Sequence, residues 1–258
     1  MSTGVIGKVT AILDAFTAED HGVGFAELQR RTGLPKATLH RLAGELVAAR
    51  LLDRVDGLFH LGGHLFQLGM RASVERGLVE VATPFLEDLY ERTHETVHLG
   101  LRAGTEVVYV LKIGGHRQAP APSRLGGRMP LHATAIGKAL LAYAPGDVRA
   151  AVLRGPLERL APRTVTAPGL LADQLAEVVA GGVAFEFEES AVGIVCVGAP
   201  IVAGVVLAAI SVAGPVSRFQ PRRHAEAVRA AASGIAAALV SSAQRNSTLD
   251  PEPPDPSR

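Results

Sequence analysis

Residues 25 to 47, Phe-Ala-Glu-Leu-Gln-Arg-Arg-Thr-Gly-Leu-Pro-Lys-Ala-Thr-Leu-His-Arg-Leu-Ala-Gly-Glu-Leu-Val, contain a break that constrains the fold more than any other feature. Gly33 supplies the conformational freedom of a tight turn, and Pro35 fits the start of a helix but not its interior. A second helix is therefore expected from Lys36. Within it Leu39, Leu42, Ala43, Leu46 and Val47 recur at i, i+3, i+4, i+7 and i+8, one buried stripe of a 3.6-residue period. The opposite face carries Lys36, Ala37, Thr38, His40, Arg41 and Gly44: cations that seek phosphate, a hydroxyl, and small residues that permit close approach to a groove. This is the pattern of a helix-turn-helix that reads DNA.

The flanking sequence supports that reading. Val9, Ile12, Leu13 and Phe16 form the stripe of a preceding helix, with Leu28 and Leu34 placed to close a three-helix core. Downstream, Leu51–Val55 and Leu58–Leu61 flank Asp56-Gly57, the dipeptide of a type I′ hairpin turn. A hairpin after a recognition helix is a wing. Gly44 is unfavourable inside a helix by about 0.5–1 kcal/mol relative to alanine, so it signals a packing or docking requirement.

Bulk charge does not carry the argument. The chain is only +1, and residues 1–60 balance seven Lys or Arg against seven Asp or Glu. Arg30, Arg31, Lys36 and Arg41, however, occupy one stretch without an intervening acid, and each phosphate such cations neutralise makes binding more salt-dependent. The expected DNA contacts are Lys36 and Arg41 to bases or phosphates, Thr38 to phosphate or a thymine methyl, His40 to either, Arg31 within the positive patch, Arg54 from the wing, and Lys8 from the first helix.

With 258 residues and 48% apolar content, two domains are expected. The boundaries read as 1–62 for the DNA-binding domain, 63–78 for a linker helix, 79–245 for a second domain and 246–258 for a disordered, Pro- and Ser-rich tail. No apolar run suffices to span a bilayer, no secretory signal is evident, and a single Cys forms no internal disulfide, so a cytoplasmic location without membrane association is expected. Leu78, Val81, Ala82, Phe85, Leu86, Leu89 and Tyr90 make an amphipathic helix that either begins at Pro84, capped by Thr83, or passes through it. From Thr96 the period becomes two. A hairpin spans Val97–Lys112, and further strands lie at 183–189, 194–200 and 205–212, with helices near 134–142, 169–180 and 220–240. The fold class is α+β: a winged helix-turn-helix followed by a mainly antiparallel sheet covered by helices.

Arg128-Met-Pro-Leu-His-Ala-Thr-Ala-Ile-Gly-Lys-Ala-Leu-Leu-Ala142 closely resembles the signature segment of the isocitrate lyase regulator (IclR) family of bacterial transcription factors. So do Leu34–Leu42, Glu189 with Gly193 and Cys196, and Ser211-Val-Ala-Gly-Pro215. The resemblance implies a GAF-like effector-binding second domain and a homodimer or homotetramer that represses or activates operons. Its effector pocket maps onto Ala135, Ile136, Glu186, Ile194, Cys196 and Ser211. Independently, if Thr134 caps a helix, the backbone N–H groups that follow it suit a carboxylate. A small organic acid is the expected effector. Ala213, standing where relatives often carry a second hydroxyl, shifts the expectation towards a less polar, aromatic one.

The readings together describe a ligand-controlled DNA-binding regulator, read as a repressor, without a cofactor or catalytic residues. Its partners would be operator DNA with half-sites about 34–36 Å apart or a multiple of that, a small-molecule carboxylate and further copies of itself. Enzymatic alternatives are weaker. His94-Glu95-Thr96-Val97-His98 spells the H-E-x-x-H zinc motif, with His116 as a third ligand, but His98 belongs to a strand pattern, whereas the motif needs a helix. Gly137-Lys138 lacks the rest of a phosphate loop. Cys196 with His132 offers a nucleophile and a base on paper, yet an apolar strand makes Cys196 a lining residue. A sensor acting through protein partners alone would have no use for Lys36, Thr38 and Arg41.

Overall fold

The computed structural model describes residues 4–17, 20–69, 71, 73–114 and 122–249. The chain divides into two compact units, Met1–Arg76 and Gly77–Arg258.

In the first unit, α1 (Val5–Leu13), α2 (Phe25–Thr32) and α3 (Lys36–Ala48) precede a hairpin of β1 (Leu52–Val55) and β2 (Leu58–Leu61). Gly33 ends α2 in the left-handed region at φ 65°, which releases the chain into the turn before α3. The predicted stripe is the core: Leu39, Leu42, Ala43 and Leu46 are buried with Ile12, Leu28, Leu52 and Phe59, and Val47 packs at the edge. Phe16 joins that core from beyond the end of α1. Asp56 and Gly57 both have positive φ, 51° and 81°, as a type I′ turn requires, and join Val55 to Leu58 in register. The hairpin is tied back by the Val23–Phe59 bridge. The unit closes with α4 (Gly63–Gly69).

The segment 63–78, expected as one linker helix, instead contains α4 and the start of α5 (Ser73–Thr93). Of the two alternatives for Pro84, the structure has the longer helix: α5 passes through it. Thr83 is not a cap, and its hydroxyl donates to the Val79 carbonyl, 2.7 Å away.

The second unit is a six-stranded antiparallel sheet in the order β5-β4-β3-β8-β7-β6, where β3 is Thr96–Ala103, β4 Glu106–Ile113, β5 Arg128–Pro130, β6 Ala184–Phe187, β7 Ile194–Ala203 and β8 Val205–Pro215. Side-chain parity sorts its two faces. Val97 and Leu99, Val195 and Val197, and Ile210 and Val212 pack against α5 and α9 (Pro221–Leu249). The other face is covered by α6 (Ala135–Ala142) and α8 (Pro168–Gly181), with α7 (Gly146–Arg154) alongside. Close approach of α6 to the sheet depends on Gly198, where a Cβ would lie 3.0–3.1 Å from the backbone of Ala135 and Ile136. β5 and α7 are additions to the elements expected from sequence. α9 runs on to Leu249, past Asn246 where a disordered tail was expected; the rest of that expectation, 250–258, lies outside the described residues.

Candidate functional site

Two sites follow from the sequence, one on α3 and one between α6 and the sheet. On α3, Lys36, His40, Arg41 and Gly44 are exposed and Thr38 is half-buried, all opposite the core stripe. Lys36 has no ion-pair partner among the described residues, and Arg41 pairs with Glu45 one turn on at 2.6 Å, both side chains 58% exposed. A Cβ at Gly44 would meet nothing within 4 Å, so packing inside this chain does not account for the glycine. In the wing, Arg54 is exposed and lies 5.5 Å over the Phe59 ring, which steadies a cation without neutralising it. Lys8 is half-buried on α1.

Arg31 departs from the expectation. Its guanidinium meets Asp20 at 2.6 and 3.0 Å, Glu27 at 2.7 Å and the Ala15 carbonyl at 2.9 Å. The hydrogen bond from Arg31 holds the Asp20 carboxyl well below the usual range, and bonds from Arg30 and Arg31 bring Glu27 down to about 2. Arg31 is thus a clasp between α2 and the segment after α1, with its charge already balanced. The positive stretch is acid-free only in linear sequence: Glu27 and Glu45 flank it, and helical i+3 and i+4 spacing brings them onto its arginines.

The second site is a cavity. Ile136, Glu186, Ile194, Cys196 and Ser211 line it together, and Ala135 is buried in the apolar cluster with Ile194, Cys196 and Ala213. Thr134 caps α6 as expected, its hydroxyl accepting from Gly137 N at 3.0 Å. The chamber is narrow, with a free volume of about 20 Å³, the room one water needs. Four further polar residues line it that the sequence did not place there: His98, Tyr109, Ser123 and Ser190. His98 shares hydrogen bonds with Ser123 through Nε2 at 2.7 Å and with Ser211 through Nδ1 at 3.4 Å, and its ring lies 5.1 Å from that of Tyr109. Burial, aided by the Lys112 charge, lowers the His98 pKa to about 3, so its imidazole is neutral. Burial also drives the Tyr109 phenol and the Cys196 thiol up. The signal for His98 was parity: it shares with Cys196 and Ser211 the sheet face that meets α6.

Glu186 is 1% exposed. Its Oε1 accepts from Glu189 N at 2.9 Å and from Ser190 N and Oγ, both at 3.0 Å. Desolvation nevertheless outweighs those bonds and pushes the carboxyl up to about 7. Behind it, Lys138 of α6 reaches both oxygens of Glu189 at 2.6 Å and the Phe185 carbonyl at 3.2 Å. The pair is 1% and 5% exposed, so Lys138 is spent within the protein.

The zinc-motif residues do not assemble. His94 ends α5 with a positive φ of 52°, Glu95 pairs with Arg218 at 2.8 and 3.1 Å, and His98 enters β3 and the cavity. His116 lies outside the described residues. Nor do Cys196 and His132 form a nucleophile and base, because His132 directs Nε2 to the Glu158 carbonyl at 2.9 Å and does not line the Cys196 cavity. No helix among the described residues is long and apolar enough to cross a membrane.

Residues 70–237 match the profile "Bacterial transcriptional regulator IclR C-terminal" and residues 5–56 match "IclR helix-turn-helix domain". The chain is 35% identical over 223 residues to the HTH-type transcriptional regulator BhcR of Paracoccus denitrificans, covering 84% of this chain and 80% of that protein. It is 30% identical to the transcriptional repressor IclR of Escherichia coli, covering 87% and 86%. Among solved structures, an IclR homolog from Microbacterium hydrocarbonoxydans complexed with 4-hydroxybenzoate superposes with a TM-score of 0.86 at 32% identity, covering 92% of this chain and all of that one.

Proposed function

Because the chain belongs to the IclR family of transcriptional regulators, we propose that it represses transcription by holding operator DNA through α3 and its wing, and that a small carboxylate of aromatic character modulates that grip from the cavity beneath α6. The observation that carries the reading is the coexistence in one chain of an exposed Lys36, Arg41 and Gly44 face and a narrow cavity beside a capped helix start, lined by the buried polar residues His98, Glu186 and Ser211. Lys36, Thr38, His40, Arg41 and Arg54, with Lys8 as a phosphate contact, form the DNA-facing set; Arg31 supports it as a clasp. Ala135, Ile136, Glu186, Ile194, Cys196 and Ser211, joined by His98, Tyr109 and Ser123, form the effector set.

The cavity's small volume gives the effector leverage. A ring-sized acid enters only if the walls move, so it favours one conformation of the second unit over another, as any allosteric ligand must. A coupling of about 1–3 kcal/mol corresponds to roughly 5–150-fold in operator affinity. In our reading the protein acts as a homo-oligomer that sets two recognition helices on half-sites about 34–36 Å apart or a multiple of that. The apolar exposure of α4 supports it, with Phe66 73% and Leu68 43% exposed. The relatives are named as regulators, and the active-site constellations spelled in the sequence are pulled apart in the fold, which favours regulation over catalysis.

Fluorescence anisotropy with DNA from upstream of the gene, at two salt concentrations and with 4-hydroxybenzoate as probe, tests the reading. Saturable, sequence-selective, salt-sensitive binding that 4-hydroxybenzoate or another carboxylate changes at least about fivefold is expected. Binding no tighter to that DNA than to scrambled DNA of equal length overturns it.

A further inference from the structure

The effector cavity contains an acid where an anion is expected. Glu186 faces it from β6, and its Oε1 is saturated by three donors from the 189–190 turn, leaving Oε2 without a hydrogen-bond partner among the described residues. The described residues that line the cavity carry no free cation, and Lys112 of β4, whose charge bears on His98, stands outside the lining with its Nζ on the Ser123 carbonyl at 2.7 Å. From β3, His98 is neutral; from β4 and β7, Tyr109 and Cys196 stay protonated; from α6, Lys138 is held by Glu189, itself beside Glu186 in the turn; β8 contributes only the Ser211 hydroxyl. A carboxylate drawn to the start of α6 would therefore share a narrow, largely apolar chamber with a second carboxylate, and two such groups in contact do not both ionise.

Resting on the effector reading above, we propose that Glu186 is a specificity-determining residue that is protonated in the effector complex and donates its O–H to the bound carboxylate, so that the bound state holds the anion and one proton together. The proton comes from solvent, and no covalent bond to carbon changes. Such a site selects monoanionic acids and rejects amines, which would need an ionised Glu186. It also links effector response to pH. Since burial raises the carboxyl to about 7, affinity for an anion should be flat below that value and fall about tenfold per pH unit above it.

Isothermal titration of the full chain with 4-hydroxybenzoate and pyruvate between pH 5.5 and 8.5, in buffers of different ionisation enthalpy, counts the protons directly. Near pH 8 the wild type should take up close to one proton per anion bound, and near pH 5.5 almost none. Glu186→Gln keeps an N–H donor in place and should bind with affinity independent of pH and with no proton uptake. Flat wild-type affinity without uptake, a slope that persists in the Gln variant, or tight binding of 4-hydroxybenzylamine that strengthens with pH each overturns the proposal while leaving the cavity an effector site. Absence of binding by either acid at every pH overturns the carboxylate reading of the cavity and this proposal with it.

Discussion

Arg41 and Lys138 each hold a glutamate at 2.6 Å, yet the two ion pairs sit in opposite surroundings. The Arg41–Glu45 side chains are both 58% exposed, whereas Lys138 and Glu189 are 1% and 5% exposed. Distance alone does not tell what such a pair is for; water does. An exposed pair one helical turn apart is worth roughly 0.3–0.5 kcal/mol and exchanges readily for another anion, such as a phosphate. A buried pair that also satisfies the Phe185 carbonyl is a fixture, because breaking it strands a charge in the interior. The recognition surface is thus built from replaceable contacts and the sensing unit from committed ones.

The largest expected effect tests the committed side. Lys138→Met leaves Glu189 uncompensated beside Glu186 and should destabilise the second unit by about 3–5 kcal/mol, while adding Glu189→Leu should recover most of that loss. Urea unfolding of the single and double variants measures both. If the single variant loses under about 1 kcal/mol, well below the usual range for breaking a buried pair, the fixture is no fixture and the contrast with Arg41 collapses.

On the exchangeable side, Arg41→Ala should weaken binding to the upstream DNA by about 1–3 kcal/mol and lower the salt slope by about one if the contact is to phosphate. Folding stability should barely move. Arg31→Gln should do the reverse, lowering the unfolding midpoint of the first unit through loss of the Asp20 and Glu27 contacts while the salt slope stays as in the wild type. A salt slope reduced equally by both variants would erase the distinction between a clasp and a contact.

How far the sequence could be read follows the same division. The α3 stripe, the Asp56-Gly57 turn and the Thr134 cap are local, so the periodicity of 3.6, a dipeptide and an N-cap residue sufficed to find them. Arg31 escapes such a reading because its partner Asp20 lies eleven residues away across the α1–α2 connection. The Lys138–Glu189 pair spans fifty-one residues and gives no local sign. The cavity's family-mapped residues are found by resemblance, but the zinc spelling sets His98 apart, and only the antiparallel register brings it opposite Ser211. α7 buries Val152 alone, which leaves no stripe to read, and β5 is three residues ending in Pro130.

Gly44 sharpens the comparison from another side. With nothing within 4 Å of where an added Cβ would stand, Gly44→Ala should stabilise the first unit by about 0.5–1 kcal/mol through helix propensity alone. If the glycine is there for close approach to a groove, the same substitution should weaken DNA binding even as stability rises. Opposite signs in thermal unfolding and anisotropy support docking as its purpose; gains in both would leave the residue without a role at the DNA face.

The smallest effect concerns Glu45, which competes with DNA for Arg41. Glu45→Gln keeps the side chain's length and removes its charge, so loss of the exposed pair should cost no more than about 0.5 kcal/mol of stability. In the wild type, Arg41 must leave Glu45 before or while it meets a phosphate, and the carboxylate repels that phosphate as well. Both terms vanish in the variant, so DNA affinity should rise a few-fold at low salt, and the gain should shrink as salt screens the repulsion. The sequence preference should sharpen only if Arg41 reads a base edge; if it grips phosphate, scrambled DNA should gain as much as the upstream DNA and the preference should stay as it is. Affinity unchanged at every salt concentration would mean that Arg41 and Glu45 stay paired on DNA, and the exposed pair would then belong with the buried one as structure.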